Sequence, residues 1–194
     1  MPIRSRFAHP FAPPVDPAGS PHSPSNTGWP PILDARWLPP REVKPVLNRT
    51  VSAWRREASS DDAWERAARA LAAIRHEFWL ADCGHQPAPR LAVGQWPDGR
   101  VAGLLAGWAR PALRDFFIAG IALHPSLRPA DPIGLRTAET LLTCAMDASI
   151  EAGCGGWIAC LTGQDDDCWR ALGFVAVDPF TLRRLGYFQR GPLQ

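Results

Sequence analysis

The sequence lacks the long apolar run that a membrane-spanning helix requires. Its longest apolar stretch, Phe116–Leu123, is far shorter than the ~20 residues needed to cross a bilayer. An excess of one charge is also missing, because the formal net charge is only +2, and this gives no electrostatic support for binding nucleic acid. With 46% hydrophobic and 21% charged residues, the composition is typical of a folded globular protein. We therefore expect neither a membrane nor a nucleic acid as partner.

Paired cysteines and several well-known catalytic motifs are absent as well. The 5 cysteines form no C-x-x-C pair and no regular framework, and neither their spacing nor the nearby histidines match a zinc site. Such a scattered set is typical of free thiols in a reducing compartment, so we predict a cytoplasmic protein without a metal. No G-x-S-x-G, Walker or H-E-x-x-H sequence occurs, which leaves hydrolase, NTPase and zinc-protease functions without support.

Proline is abundant only near the N-terminus. More than half of the 21 prolines precede residue 46, and the first residues carry positive charge without the apolar core of a secretory signal. The segment 1–31 has few aliphatic residues, so we predict a proline-rich arm that is disordered or loosely packed. A partner-binding tail and a plain solvated extension both fit this arm, and the lack of a basic P-x-x-P motif favours the extension. Residues 32–194 are predicted to form one domain, with 32–47 packed against its body.

The pattern of apolar residues predicts helices that alternate with strands. A helix begins with the capping residues Ser59–Asp62 and continues to Phe78 with apolar residues at spacings of three and four. Two apolar runs, Leu91–Trp96 and Val101–Trp108, flank the turn Pro97-Asp98-Gly99 and predict a hairpin. A buried strand, a helix ended by Gly153, a short strand, a helical turn and one or two final strands follow. This order is typical of an α/β fold with a mixed sheet.

One connection between a strand and a helix carries the chemistry. The segment from Ile121 to Leu142 reads as a buried strand closed by Pro125, a loop with an arginine and a glycine, and a helix start. A helix start offers unpaired N–H groups and a positive dipole end, which suit an anion such as a pyrophosphate. An ordinary strand–loop–helix connection remains the alternative.

Several local patterns, in this order, resemble the GNAT superfamily of acyl-CoA-dependent N-acyltransferases. The hairpin has Asp98-Gly99 in its turn and Gly103 in its second strand, as in that family. The family's strand ending L-x-V-x-P-x-x-R matches the four residues Ile121, Leu123, Pro125 and Arg128. Paired leucines, Leu141 and Leu142, and a final Gly173-Phe174 complete the resemblance, which covers about residues 50–190. It implies a mixed, mostly antiparallel twisted sheet flanked by helices.

The resemblance also implies an acyl-CoA co-substrate, most simply acetyl-CoA. The pantetheine would lie along a strand that separates from its neighbour, against Ile121, Ala122 and Leu123. The pyrophosphate would lie at the loop and helix start, where the residues implied are Arg128, Gly134, Leu135, Arg136, Thr137 and Ala138. The acceptor would be an amine on a small molecule or a protein, and a homodimer is left open.

The sequence departs from the family at its phosphate loop and at its catalytic acid. Pro129–Pro132 resembles an insertion, and Arg136 stands where the first loop glycine is expected. Trp169 takes the place of the tyrosine that many members use as general acid, and an indole N–H does not give up its proton at neutral pH. Trp169 is therefore predicted to form a wall of the acyl site.

Other residues are weaker candidates for catalysis. Asp115 is a candidate base, and Cys168 a candidate acid or nucleophile, although a strand-end carboxylate and a buried thiol are the simpler interpretations. His124 is a further candidate proton acceptor, and the acidic run Asp165–Asp167 would attract a cationic amine.

Two functions from different classes follow. The first is an acyl-CoA-dependent N-acyltransferase. The second is a non-catalytic domain of the same fold that binds acyl-CoA or a protein partner and serves in regulation. The intact strand ending favours the first function, and the irregular loop and Trp169 favour the second.

Overall fold

A seven-stranded mixed sheet forms the centre of the molecule. The computed structural model describes residues 34–161, 169–170, 172–176 and 187–190, so the predicted arm and Cys168 lie outside it. In spatial order the strands are β1, β2, β3, β4, β5, β7 and β6, and only β4 and β5 pair in parallel. Their bounds are Asp34–Trp37, Arg90–Gln95, Val101–Arg110, Asp115–Leu123, Ile158–Leu161, Val175–Ala176 for β6 and Tyr187–Arg190 for β7. The predicted mixed, mostly antiparallel sheet is confirmed.

In the described part of the chain three long helices flank the sheet: α1 over Pro40–Glu57, α2 over Asp61–Asp82 and α3 over Pro132–Glu151. The predicted cap of α2 is present, since the Ser60 hydroxyl accepts a hydrogen bond of 3.2 Å from the amide of Ala63. The predicted hairpin is β2–β3, and α3 ends before Gly153, which adopts φ +75°. No helix in the parts of the chain that the structure covers is long and apolar enough to cross a membrane.

The helix α1 is the main element that the sequence did not predict. It begins with Pro40 in its first turn, where the missing N–H costs nothing, but it also contains Pro45. An interior proline removes one backbone hydrogen bond and normally argues against a helix. Burial of Leu47 and Trp54 against the sheet offsets that loss, because their side chains are only 4% and 1% exposed.

The helices lie on opposite faces of the sheet. Residues of α1 and α2 form one core with β2, β3 and β4, in which Leu71 and Ile74 are fully covered. Residues of α3 form the second core with β4, β5 and the segment 172–174. The approach of α3 is close at Gly103, where a Cβ atom would lie 2.9 Å from the Leu141 side chain. The two cores hold β4 from both faces, as expected for its apolar sequence.

Candidate functional site

The central strand β4 separates from β5 halfway along its length. Pairing between the two strands extends only from Phe116 to Ile118 on the β4 side, although β4 continues to Leu123 and stays paired with β3. Within the residues described, no strand lies against residues 119–123 on the β5 side. The backbone groups on that side have no strand partner among the described residues. The strand separation that the resemblance implied is present, and Ile121, Ala122 and Leu123 lie along its open edge.

A β-bulge lies at the point where the strands part. Ala106 of β3 faces Gly120, but the next residue, Gly107, faces Ile118, so Ala119 is an extra residue in β4. A bulge bends its strand and increases the local twist. It therefore turns the second half of β4 away from β5 while leaving the pairing with β3 intact.

The loop after β4 is fixed by its own backbone bonds. The amide of His124 donates to the carbonyl of Ala102 at 2.9 Å, and the amide of Leu127 donates to the backbone carbonyl of His124 at 2.8 Å. Leu127 is 4% exposed and packs on Trp96. Arg128, by contrast, is exposed. The loop thus holds Arg128 at the surface, just before α3.

The helix α3 begins earlier than the family pattern suggested. Its first residue is Pro132, and the side chain of the preceding Asp131 makes no cap hydrogen bond. The predicted phosphate residues therefore lie within the first two turns of a helix rather than in a loop. Since proline has no N–H and a helix offers no acceptor to its first amides, the amides of Ile133 and Gly134 are the two without a helical acceptor.

The phosphate candidates differ in exposure. Gly134, Thr137 and Ala138 are buried, and the Thr137 hydroxyl donates to the carbonyl of Ile133 at 2.8 Å. Leu135 is half-buried and Arg136 is exposed. The side chain of Arg136 is therefore accessible to solvent rather than packed into the core. The polar groups at this helix start are the two amides without a helical acceptor and the exposed side chains of Arg128 and Arg136.

Gly134 is required by a close backbone approach. A Cβ atom at this position would lie 1.9 Å from the carbonyl oxygen of Arg128. That carbonyl also accepts a hydrogen bond of 3.0 Å from the amide of Asp131. Gly134 therefore fixes the loop on the helix, a role that the sequence motif did not reveal.

Asp115 lies at the other end of β4 from this helix start. About 26 Å of extended strand separates Asp115 from Leu123. Asp115 directly precedes the residues at which β4 and β5 are still paired. Both of its oxygens are engaged, one by Nε of Arg110 at 2.7 Å and the other by Nη2 at 2.8 Å. The structure thus does not bring Asp115 together with the other candidates, and it gives this carboxylate the role of a buried ion-pair partner.

Trp169 lies near β5 on the α3 face of the sheet. It is half-buried against the core that contains Leu172, and its ring meets that of Phe174 edge-on at 5.0 Å between centroids. The amide of Phe174 donates to the Trp169 carbonyl at 3.0 Å. This geometry agrees with a packing role for the indole. Cys168 and the acidic run 165–167 lie outside the described residues.

A buried histidine, His124, follows the end of β4 and contacts two polar side chains. Nε2 of His124 lies 3.1 Å from the Glu57 carboxylate, and Nδ1 lies 2.7 Å from the Ser126 hydroxyl and accepts the Ser126 amide at 3.2 Å. Because Nδ1 accepts an N–H, the proton of the neutral ring is on Nε2 and is donated to Glu57. Burial lowers the pKa of His124, although Glu57 opposes this shift. Sequence reasoning singled out His124 but missed Glu57, which lies on the unpredicted helix α1.

No group of three or more potential metal ligands occurs in the described segments. The order of helices and strands, the bulge in β4 and its separation from β5 agree with the fold that the resemblance implied.

Comparison with known proteins gives distant structural likenesses. No family model and no curated protein matches the sequence. Nourseothricin acetyltransferase is 19% identical with a TM-score of 0.41, and the match covers 53% of this chain and 65% of that protein. A GNAT family N-acetyltransferase from Escherichia coli, in complex with CoA, is 17% identical with a TM-score of 0.47 and coverages of 80% and 79%. A spermidine N-acetyltransferase chimera from Vibrio cholerae and hSSAT is 15% identical with a TM-score of 0.45. The match covers 81% of this chain and 95% of that protein. Likenesses this distant assign no substrate or cofactor to the chain.

Proposed function

We propose that this protein is an acyl-CoA-dependent N-acyltransferase that moves an acetyl group from acetyl-CoA to an amine. The observation that carries the proposal is the open edge of β4, which leads directly to the exposed start of α3. An extended pantetheine pairs with a strand edge through its amides, and a pyrophosphate binds at a helix start. Residues 120–123 supply the edge, and the amides of Ile133 and Gly134 supply the anion site.

The arginines beside the helix start complete the anion site in this proposal. Arg128 precedes the first turn, Arg136 follows it, and both are exposed. Charge-assisted hydrogen bonds from guanidinium groups to phosphate are stronger than neutral ones. They compensate for the N–H that Pro132 lacks and for the negative charge of Asp131.

The transfer proceeds by direct attack. The nitrogen of a neutral amine forms a bond to the thioester carbonyl carbon, and the C–S bond then breaks to release the CoA thiolate. Backbone N–H groups of the β4 edge stabilise the oxyanion that develops on the carbonyl oxygen. A thiolate leaves without prior protonation because the pKa of a simple thiol is only about 8.5. Trp169 therefore need only shape the acyl site. The amine loses its proton to water or to a base on the acceptor side.

A non-catalytic acyl-CoA-binding domain is the second candidate. It is favoured by the engagement of Asp115 with Arg110 and by the indole of Trp169 at the position of the acid. The acceptor of the enzyme would be an amine on a small molecule or a protein. The second candidate binds acyl-CoA or a protein partner and, unlike the first, turns over no substrate.

Calorimetric titration with CoA tests the site. The double variant Arg128→Gln, Arg136→Gln is expected to weaken CoA binding at least tenfold, about 1.4 kcal/mol, while binding of pantetheine, which has no phosphate, is unchanged. Arg75→Gln, an exposed arginine of α2, is the matched control. Absence of CoA binding by the parent protein refutes the proposal.

Turnover is measured separately. Acetyl-CoA is incubated with a panel of amines, and released CoA thiol and acetylated product are quantified. Product formation supports the enzyme. Tight binding of acetyl-CoA without product on any amine supports the binding domain.

A further inference from the structure

A buried histidine stands at the start of the loop that carries Arg128. His124 directly follows β4, is 2% exposed, and takes no part in the reaction proposed above. Its ring packs edge-on against Trp54 of α1 and Trp96 of the β2–β3 hairpin, with centroid distances of 5.7 and 4.9 Å. These contacts fix the ring, so a change in its hydrogen bonds acts on the loop that follows it.

The Nδ1 side of the ring holds a turn of that loop. Nδ1 accepts the Ser126 amide at 3.2 Å and lies 2.7 Å from the Ser126 hydroxyl. The backbone carbonyl of His124 accepts the Leu127 amide at 2.8 Å and closes the same turn. Arg128 is the next residue, and its carbonyl packs against Gly134 of α3. The turn therefore sets the direction in which the backbone reaches Arg128.

Charged side chains reach this end of the loop from each element packed against it. From α1, the Glu57 carboxylate lies 3.1 Å from Nε2 of the imidazole. From the hairpin, Arg100 lies 3.5 Å from the same carboxylate and 2.7 Å from Asp98. From α2, Arg66 donates to the carbonyl of Pro125 at 3.4 Å. Burial lowers the pKa of the imidazole and Arg100 adds to this shift, whereas Glu57 opposes it. The ring is therefore neutral at pH 7 and takes up a proton in more acidic solution.

Protonation changes the Nδ1 side of the ring and leaves the Nε2 side as it is. Nε2 carries a proton in both forms and donates it to Glu57. The added proton goes to Nδ1, which then no longer accepts the Ser126 amide. That amide faces a second N–H, which is unfavourable, so the turn is expected to rearrange.

We propose that His124 is a positioning residue of the anion site, and that the neutral ring holds Arg128, through the Ser126 turn, where it meets the phosphates of CoA. Protonation of the ring releases the turn and weakens CoA binding. This inference rests on the proposed function, since it assigns a pH-dependent regulation to the same site. A simple charge effect has the opposite sign, because a cation added near the phosphates strengthens binding.

Calorimetric titration of the full chain with CoA between about pH 7.5 and about pH 5 tests the proposal. The comparison is His124→Asn, whose side-chain oxygen replaces Nδ1 as acceptor but does not titrate. The phosphate monoester of CoA itself titrates near pH ~6, so the quantity compared is the ratio of the two affinities at each pH. Relative to the variant, the parent should bind CoA about threefold or more weakly at the acidic end than at the upper end. Thermal melts check that both proteins are folded at each pH.

A second substitution tests whether the effect passes through Arg128. In an Arg128→Gln background, the pH dependence of the ratio should largely disappear, because the guanidinium that the turn holds is absent. Arg75→Gln, an exposed arginine of α2, is the control background, in which the full dependence should persist.

Amide hydrogen exchange gives a readout that needs no CoA. The Leu127 amide should exchange faster in the parent than in His124→Asn at the acidic end, and equally fast at the upper end. Equal exchange throughout overturns the inference, as does a ratio of CoA affinities that is constant or that rises for the parent in acid. A full pH dependence in Arg128→Gln also overturns it. If the parent binds no CoA at any pH, the proposed function and this inference fail together, whereas a constant ratio refutes this inference alone.

Discussion

Removal of one partner from the ion pair between Arg110 and Asp115 is predicted to destabilise the fold strongly. The pair joins facing residues of β3 and β4 through two hydrogen bonds of 2.7 and 2.8 Å. The side chains are 16% and 7% exposed, and the guanidinium also lies 4.6 Å from the ring centroid of Phe117. Asp115→Ala removes the carboxylate and leaves the mostly buried guanidinium without its countercharge.

The expected loss follows from burial. Removal of one partner of a buried ion pair costs about 3–5 kcal/mol, and the residual exposure of Arg110 lets water recover part of this, so about 3 kcal/mol is expected. That is a large share of a total stability of about 5–15 kcal/mol. For a chain of this size it corresponds to a fall in Tm of about 6–12 °C.

Urea denaturation followed by tryptophan fluorescence measures the loss. The matched control is Asp98→Ala, which breaks a pair with Arg100 of the same 2.7 Å length whose side chains are 45% and 43% exposed. Solvent screens that pair, so the control should lose much less stability. Equal losses in the two variants would refute the argument that burial sets the size of the effect.

Three further predictions concern the site and its surroundings. Gly134→Ala should cost about 1–3 kcal/mol of stability through overpacking, because its Cβ would meet the carbonyl of Arg128 at 1.9 Å; an unchanged melt and CoA affinity would show that the loop yields freely. The free energy of unfolding should fall as the pH falls below 6.5, because burial lowers the pKa of His124 from that value and the unfolded chain therefore takes up the proton first. Urea denaturation between about pH 5 and 7 measures this dependence, and His124→Asn should flatten it. Trp169→Phe should keep the edge-on contact with Phe174 and most of any activity. Trp169→Ala should lose about 2 kcal/mol of folding stability, measured by thermal denaturation. Complete loss of turnover in a stable Trp169→Phe variant would assign chemistry to the indole N–H.

Local patterns were sufficient for the elements that carry strong periodicity. The hairpin around Asp98-Gly99, the capped helix α2 and the strand closed by Pro125 all rest on neighbouring residues. The prediction failed for α1, where Pro45 opposes a helix and burial of Trp54 favours it. Such burial depends on residues distant in sequence, so local propensity does not reveal it.

The candidate site was predictable in outline but not in its contacts. The open edge at Ile121–Leu123 agrees with the resemblance. The contact of Gly134 with the Arg128 carbonyl depends on how a proline-rich loop folds back on its helix. The Glu57–His124 contact joins residues 67 positions apart, and no spacing rule encodes it.

The separation of β4 from β5 also predicts that the sheet opens as two units with different free energies. Four strands, β1 to β4, lie on one side of the seam, and β5, β7 and β6 lie on the other, joined by a ladder of only three residue pairs. Cooperative opening of such a unit requires the loss of fewer backbone bonds than global unfolding. In amide hydrogen exchange, Ile158–Cys160 should therefore exchange together through a partial opening, while Leu104 and Leu105 should exchange only when the whole domain unfolds.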